Sequence, residues 1–166
     1  MIRLPLFQKN KQSGFTIIEL LIVIAIIGIL VTLGLGNFNG SRMKARDAKR
    51  KSDLRSIKLA LQLYMDDYRQ FPASSASGGQ IVGCGTAAGP ATACSWGGSF
   101  NRGTTTYMGF LPRDPVATQA YTYATSATVD YLLTATLENT SDPDSAASQT
   151  RCGVTPVAGR YVVCNQ

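Results

Sequence analysis

The chain reads as an α+β fold: a long N-terminal helix, membrane-spanning in its front half and amphipathic in its rear half, packed on a small antiparallel sheet. Three observations predict this. An almost unbroken apolar run extends from Phe15 to Leu35. Apolar residues then recur at spacings of three and four from Leu54 to Tyr68, which is helical. Further on, Tyr131, Leu133, Ala135 and Leu137 alternate with other residues, which is the period of a half-buried strand.

Met1 to Gly14 is a polar leader that carries Arg3, Lys9 and Lys11 and no acid. An ordinary secretory signal places its apolar stretch before the cleavage point and loses it. Here a Gly14-Phe15 junction lies on the polar side of the apolar run, so cutting there leaves the hydrophobic helix on the product. The run of about 21 residues makes roughly 32 Å of helix, against about 30 Å for a bilayer core. Its one carboxylate, Glu19, stands in the first turn. A charge at mid-span costs about 2.5–3.5 kcal/mol, and a position near the end of the span costs less. A carboxylate in the first turn also complements the helix dipole.

Gly34, Gly36, Asn37, Asn39 and Gly40 follow closely and weaken the helix, so a bend or melted stretch is expected there. Helical signal then returns. Leu54, Ile57, Leu61, Tyr64 and Tyr68 share one face, and Phe71-Pro72 ends the pattern because the residue before proline is pushed out of helical geometry. The expectation is one helix from about Phe15 to about Gln70, with the rear face packed on a sheet of the same chain. The organisation is then leader 1–14, apolar helix 15–36, amphipathic continuation 37–71 and distal globular domain 72–166.

From Pro72 to about Thr106 the chain is rich in Gly, Ala, Ser and Thr and reads as a long loop. Leu111-Pro112-Arg113-Asp114-Pro115 is a rigid turn. Strands are expected from Tyr121 to Ala124, through the alternating Tyr131 to Leu137 segment, and from Arg160 to Cys164, with a polar turn between Glu138 and Ser145.

The net charge of +6 is unevenly placed. Eight basic residues (Arg42, Lys44, Arg46, Lys49, Arg50, Lys51, Arg55 and Lys58) stand close together, against only Asp47 and Asp53. Beyond Lys58, five basic residues face seven acidic ones. A solvated helix face, complementarity with acidic domains of neighbouring copies, and surface binding of DNA are the three readings of the basic stretch. The chain has no histidine, which removes the commonest general base and the usual nucleophile pairs, so no enzymatic role is expected. Cys84, Cys94, Cys152 and Cys164 form an even set that suits two disulfides in an oxidising compartment. Four cysteines allow three connectivities. Nearest-neighbour pairing would close two short loops at about 2–3 kcal/mol each. A zinc site is disfavoured because no close C-x₂₋₄-C pair is present.

The segment Lys11-Gln12-Ser13-Gly14-Phe15-Thr16-Ile17-Ile18-Glu19-Leu20-Leu21 resembles the class III leader junction of type IV pilins and type II secretion pseudopilins. The resemblance is close from Lys9 to Leu30 and looser through Phe71-Pro72 to the Leu111–Pro115 turn, which is similar to the G-type major pseudopilin branch. It implies a type IV pilin-like fold and cleavage between Gly14 and Phe15 by a membrane prepilin peptidase, which then methylates the Phe15 amine. It also implies packing of the apolar helices into a homopolymeric filament through an inner-membrane assembly platform, with Glu19 near the N-terminal amine of a neighbour. The precursor would sit in the inner membrane and the product in a periplasmic or extracellular filament.

This sequence departs from pilins at Gly36, where they usually have proline. The positive-inside rule points the distal domain to the cytoplasm, whereas the resemblance and the cysteines point it outward. The resemblance further suggests calcium as a cofactor of the turn that carries Glu138, Asn139, Asp142 and Asp144, set against an ordinary polar hairpin. The Cys152 and Cys164 region leads the reading toward a subunit of a type IV pilus. The alternative is the major G-type pseudopilin of a type II secretion system, toward which the Leu111–Pro115 turn leans. A membrane-anchored binding module or enzyme is the remote third.

Overall fold

The computed structural model describes residues 14–34, 38–76, 79–126 and 130–165. The chain forms two compact units, Met1–Asn39 and Gly40–Gln166. In the first, helix α1 runs over Ile17–Gly34, 18 residues, or about 27 Å. It starts two residues after the predicted run because Phe15 and Thr16 stay outside it, with Thr16 at the cap position. Among the described residues no helix is long and apolar enough to cross a membrane. Helix α2 spans Phe38–Tyr68. The expected weak join includes residues 35–37, and most of the leader is residues 1–13; both lie outside the described residues.

Helix α2 ends because Arg69 adopts a left-handed φ of 55° while its N–H still bonds the Met65 carbonyl at 2.8 Å. The stripe predicted for its inner face is the wall of the core. Leu54, Ile57, Ala60, Leu61 and Tyr64 are buried, and Tyr68 packs on them partly exposed. Each fully buried Leu or Ile side chain stabilises the fold by roughly 1.5–3 kcal/mol.

Among the described residues the distal part holds three small antiparallel sheets rather than one. The first has β1 (Ala73–Ser74), β2 (Ile81–Cys84) and β3 (Thr92–Ala93), and the second has β4 (Phe100–Arg102) and β5 (Thr105–Met108). The segment expected to be a long loop therefore contains five strands. Each is at most four residues long. Their strand formers, such as Ile81, Val82, Phe100 and Tyr107, stand too few and too scattered among Gly, Ala, Ser and Thr to show alternation. The third sheet has β6 (Thr122–Ser126), β7 (Asp130–Thr136) and β8 (Arg160–Cys164), with Leu133 opposite both Tyr123 and Val163. Its inward Tyr131, Leu133 and Ala135 are buried as alternation requires. Tyr64 stacks on Phe100 at 5.6 Å and meets Tyr107 edge-on at 5.3 Å, which joins α2 to the second sheet.

Between β7 and β8 lies helix α3, Pro143–Arg151, where only a polar turn was expected. Its start is chemically ordinary: Asp142 is the N-cap, its side chain accepts from Asp144 N, and Pro143 opens the first turn. The Gln149 side chain behind it is fully buried. Its amide donates to the carbonyls of Val157 and Arg160 at 2.9 and 2.8 Å and accepts from Val157 N at 2.7 Å. The structure pairs Cys84 with Cys94 and Cys152 with Cys164, with Cα separations of 5.3 and 5.9 Å.

Candidate functional site

The N-terminal junction is built from four residues. Gly14 is exposed, and a Cβ placed on it would meet nothing within 4 Å. Gly97 makes the contrast: its φ is +84°, and a Cβ there would collide with the Arg113 guanidinium. Among the described residues, packing sets no requirement for glycine at position 14. Phe15 follows, 88% exposed.

Thr16 and Glu19 then cap α1 reciprocally. Thr16 Oγ1 accepts from Glu19 N at 3.3 Å, while Glu19 Oε2 accepts from Thr16 N at 2.9 Å and from Thr16 Oγ1 at 2.8 Å. This is a capping box, readable in the sequence as Thr-x-x-Glu ahead of an apolar run. The sequence reading named Glu19 and missed Thr16. From Ile17 to Val31 every large apolar side chain is roughly half exposed or more, from 82% at Ile17 to 47% at Val23. A helix that is apolar on all sides has to be covered by lipid or by other apolar helices.

The basic stretch on α2 turns inward more than its composition suggests. Arg50 is fully buried. It grips Asp114 with two parallel bonds of 2.8 and 2.9 Å, and its third nitrogen reaches Asp47 at 2.6 Å and Glu138 at 2.8 Å. Asp47 also accepts the backbone N–H groups of Glu138 and Asn139, at 2.9 and 2.8 Å. Arg46 bonds Glu138 at 2.6 Å, Lys49 bonds Asp53, and Tyr121 donates to Asp53 at 2.8 Å. Lys58 donates to the Cys164 carbonyl. Five of the eight cations thus hold partners in their own chain, leaving Arg42, Lys44 and Arg55 as the ones without such a bond among the described residues.

The hydrogen bonds from Arg46 first, and from Arg50, hold the Glu138 carboxyl well below its usual range, down to about 2. Burial and the bond to Asp53 push the Tyr121 hydroxyl up. The clamp ties the turn at Asp114 and the turn after β7 to one helix, and Lys51 adds the start of α3 through Asp142.

The residues suggested for calcium do not fit that ion. Lys51 Nζ stands 2.7 Å from both Asp142 Oδ1 and Asp144 Oδ2, so a protein ammonium already neutralises them. Glu138 is engaged by Arg46 and Arg50, and Asn139 Oδ1 accepts from Ser141 N. Among the described residues no group of three or more His, Cys, Asp or Glu is placed to hold a metal. The melting temperature of a Gly40–Gln166 fragment is therefore expected to stay unchanged when calcium is added or chelated. A rise of several degrees with calcium would show a site this geometry does not provide. The fragment must begin at Gly40 rather than Pro72, because α2 is a wall of the core.

Residues 9–35 match the family described as Prokaryotic N-terminal methylation motif. The chain is similar to the type II secretion system core protein G of Aeromonas hydrophila, 35% identical over 108 residues, which cover 65% of this chain and 70% of that protein. The counterpart in Klebsiella pneumoniae is 32% identical over 106 residues, covering 64% and 70%. That of Escherichia coli (strain K12) is 38% identical over 66 residues, covering 40% and 46%. No solved structure matches the chain significantly.

Proposed function

This chain belongs to the family of the type II secretion system core protein G, and from that premise we propose that it is the major pseudopilin-type subunit of a secretion filament. The order of the two leading readings in the sequence is thereby reversed. The Cys152 and Cys164 region had put a surface pilus first, whereas the relatives are secretion proteins by name. On this reading the chain is a structural protein and not an enzyme. A prepilin peptidase cuts after Gly14 and methylates Phe15. The subunit waits with α1 in the inner membrane, with the distal domain on the oxidising side where its disulfides form. An assembly platform then adds it to a periplasmic filament.

The observation that carries the proposal is the bare apolar α1, capped by Thr16 and Glu19 just after the Gly14-Phe15 junction. Lipid is its cover before assembly, and neighbouring α1 helices are its cover after. Surface DNA binding loses ground, because most of the basic stretch is engaged internally.

Mass spectrometry of the membrane-bound protein is expected to find a mature N-terminus of methylated Phe15, and only the longer precursor when Gly14→Tyr blocks the peptidase. Deleting the chain is expected to trap exported proteins in the periplasm. Loss of long surface fibres with export intact would return the chain to the pilus reading.

A further inference from the structure

A cleft of about 290 Å³ lies between the turn that carries Trp96 and the loop from Arg113 to Tyr121. Trp96, Pro115 and Tyr121 give it an apolar wall, with the two aromatic rings edge to face at 5.9 Å. The polar atoms of both rings are already used. Trp96 Nε1 donates to the Gly79 carbonyl at 3.2 Å, and the Tyr121 hydroxyl donates to Asp53 at 2.8 Å. A ligand on this side therefore meets ring surface and aliphatic carbon. The wall is also fixed before anything binds: Arg113 Nε donates to the Trp96 carbonyl at 2.7 Å, and Asp114 Oδ1 accepts from Val116 N at 2.8 Å.

Two polar groups that line the cleft lack partners. Gln119 Oε1 is buried, and no donor reaches it among the described residues. The fold bears that cost unless a donor enters the cleft. Arg113 spends its Nε on Trp96 and forms no salt bridge among the described residues, so its two terminal nitrogens offer a fork of donors without an acceptor. Asp114 lines the cleft too, but Arg50 engages both of its carboxylate oxygens. No free acid remains there to hold an ammonium, which sets aside amines and amino acids as ligands.

We propose that this cleft binds one sugar ring that carries a carboxylate, a hexuronate. Its C–H face covers the exposed surface of Trp96 and Pro115. One hydroxyl donates to Gln119 Oε1, and the carboxylate takes the Arg113 fork. A volume at the low end of the range for ligand sites admits a single ring rather than a large cofactor. A neutral hexose would satisfy Gln119 and leave Arg113 unpaired, and a small anion would do the reverse. A ring with both features meets all three surfaces. The site belongs to the distal domain and is independent of the filament reading.

Trp96 is the one tryptophan of the chain, so its fluorescence reports on the cleft directly. The test titrates galacturonate into the full chain, held in a detergent without a sugar headgroup. A saturable change in emission is expected, with a Kd of about 1 mM for a ligand of this size. Galactose and acetate, each lacking one of the two features, are expected to bind at least tenfold more weakly. In Arg113→Gln the preference for galacturonate over galactose should vanish. Gln119→Leu, which keeps the volume and removes the acceptor, should weaken both sugars and leave the melting temperature of the free protein in place. No saturable change up to about 50 mM galacturonate would overturn the proposal. Acetate binding as well as galacturonate would reduce the cleft to a simple anion site and overturn it too. A Trp96 signal that moves on filament assembly and not with galacturonate would give the cleft to a neighbouring copy, which also overturns it.

Discussion

Replacing Arg50 with methionine is expected to destabilise the Gly40–Gln166 domain by about 3–5 kcal/mol, because one partner of a buried ionic network is removed and the other charges stay. Against a typical total of about 5–15 kcal/mol, that is enough to leave much of the population unfolded at growth temperature. Arg50 has no exposed surface and donates to Asp47, Asp114 and Glu138. Asp47 and Asp114 are themselves buried, so water cannot replace the lost cation. Methionine fills much of the volume, which confines the loss to charge and hydrogen bonds. Thermal denaturation of the fragment measures it, and a change below about 1 kcal/mol would show that the clamp is dispensable.

The same network sets an acid limit. Glu138 is ordinarily a carboxyl near 4.5 and is held at about 2 in the fold. Its contribution is fully present above the unfolded value, and it is lost as pH falls from about 4.5 toward 2. Glu138→Gln should flatten that part of the stability curve.

How much of this was legible follows from the range of each interaction. The inner stripe of α2 and the strand Arg160–Cys164 were readable because periodicity is local. The capping role of Asp142 was also local: Asp-Pro ahead of a short polar stretch is a helix start, and reading it as a turn overlooked that signal. The partners of the basic stretch were not readable. Arg50 meets Asp114 at a separation of 64 residues and Arg46 meets Glu138 at 92, and only the tertiary fold chooses among the available acids. A carboxylate cluster such as Glu138 to Asp144 looks alike in sequence whether a metal or a lysine neutralises it. Lys51 decides the matter here, from about ninety residues away. The five short strands were invisible for a different reason: at two to four residues each they are too short to show alternation, although β2, β4 and β5 hold strand-favouring residues.

Glu19→Gln is expected to leave cleavage after Gly14 intact and to reduce filament yield at least tenfold, as Glu19→Ala should. The comparison separates two roles. Within the chain Glu19 completes the capping box with Thr16, a contribution of about 1 kcal/mol. Glutamine retains an oxygen that can accept from Thr16 N, so it preserves most of the cap while removing the charge. The cap uses a single oxygen, Oε2, which leaves Oε1 to face another partner. In an apolar filament core the fitting partner for a carboxylate is the methylated amine of a neighbour's Phe15. That pair would operate at low dielectric, where one unmatched charge costs far more than a lost cap. Thr16→Val, which weakens the cap and keeps the charge, should therefore reduce assembly by less than either change at Glu19. Sheared filament yield, with the mature N-terminus checked by mass spectrometry, reads all three variants. Wild-type yield from Glu19→Gln would mean that the carboxylate serves its own helix and that the charge pair is not part of assembly.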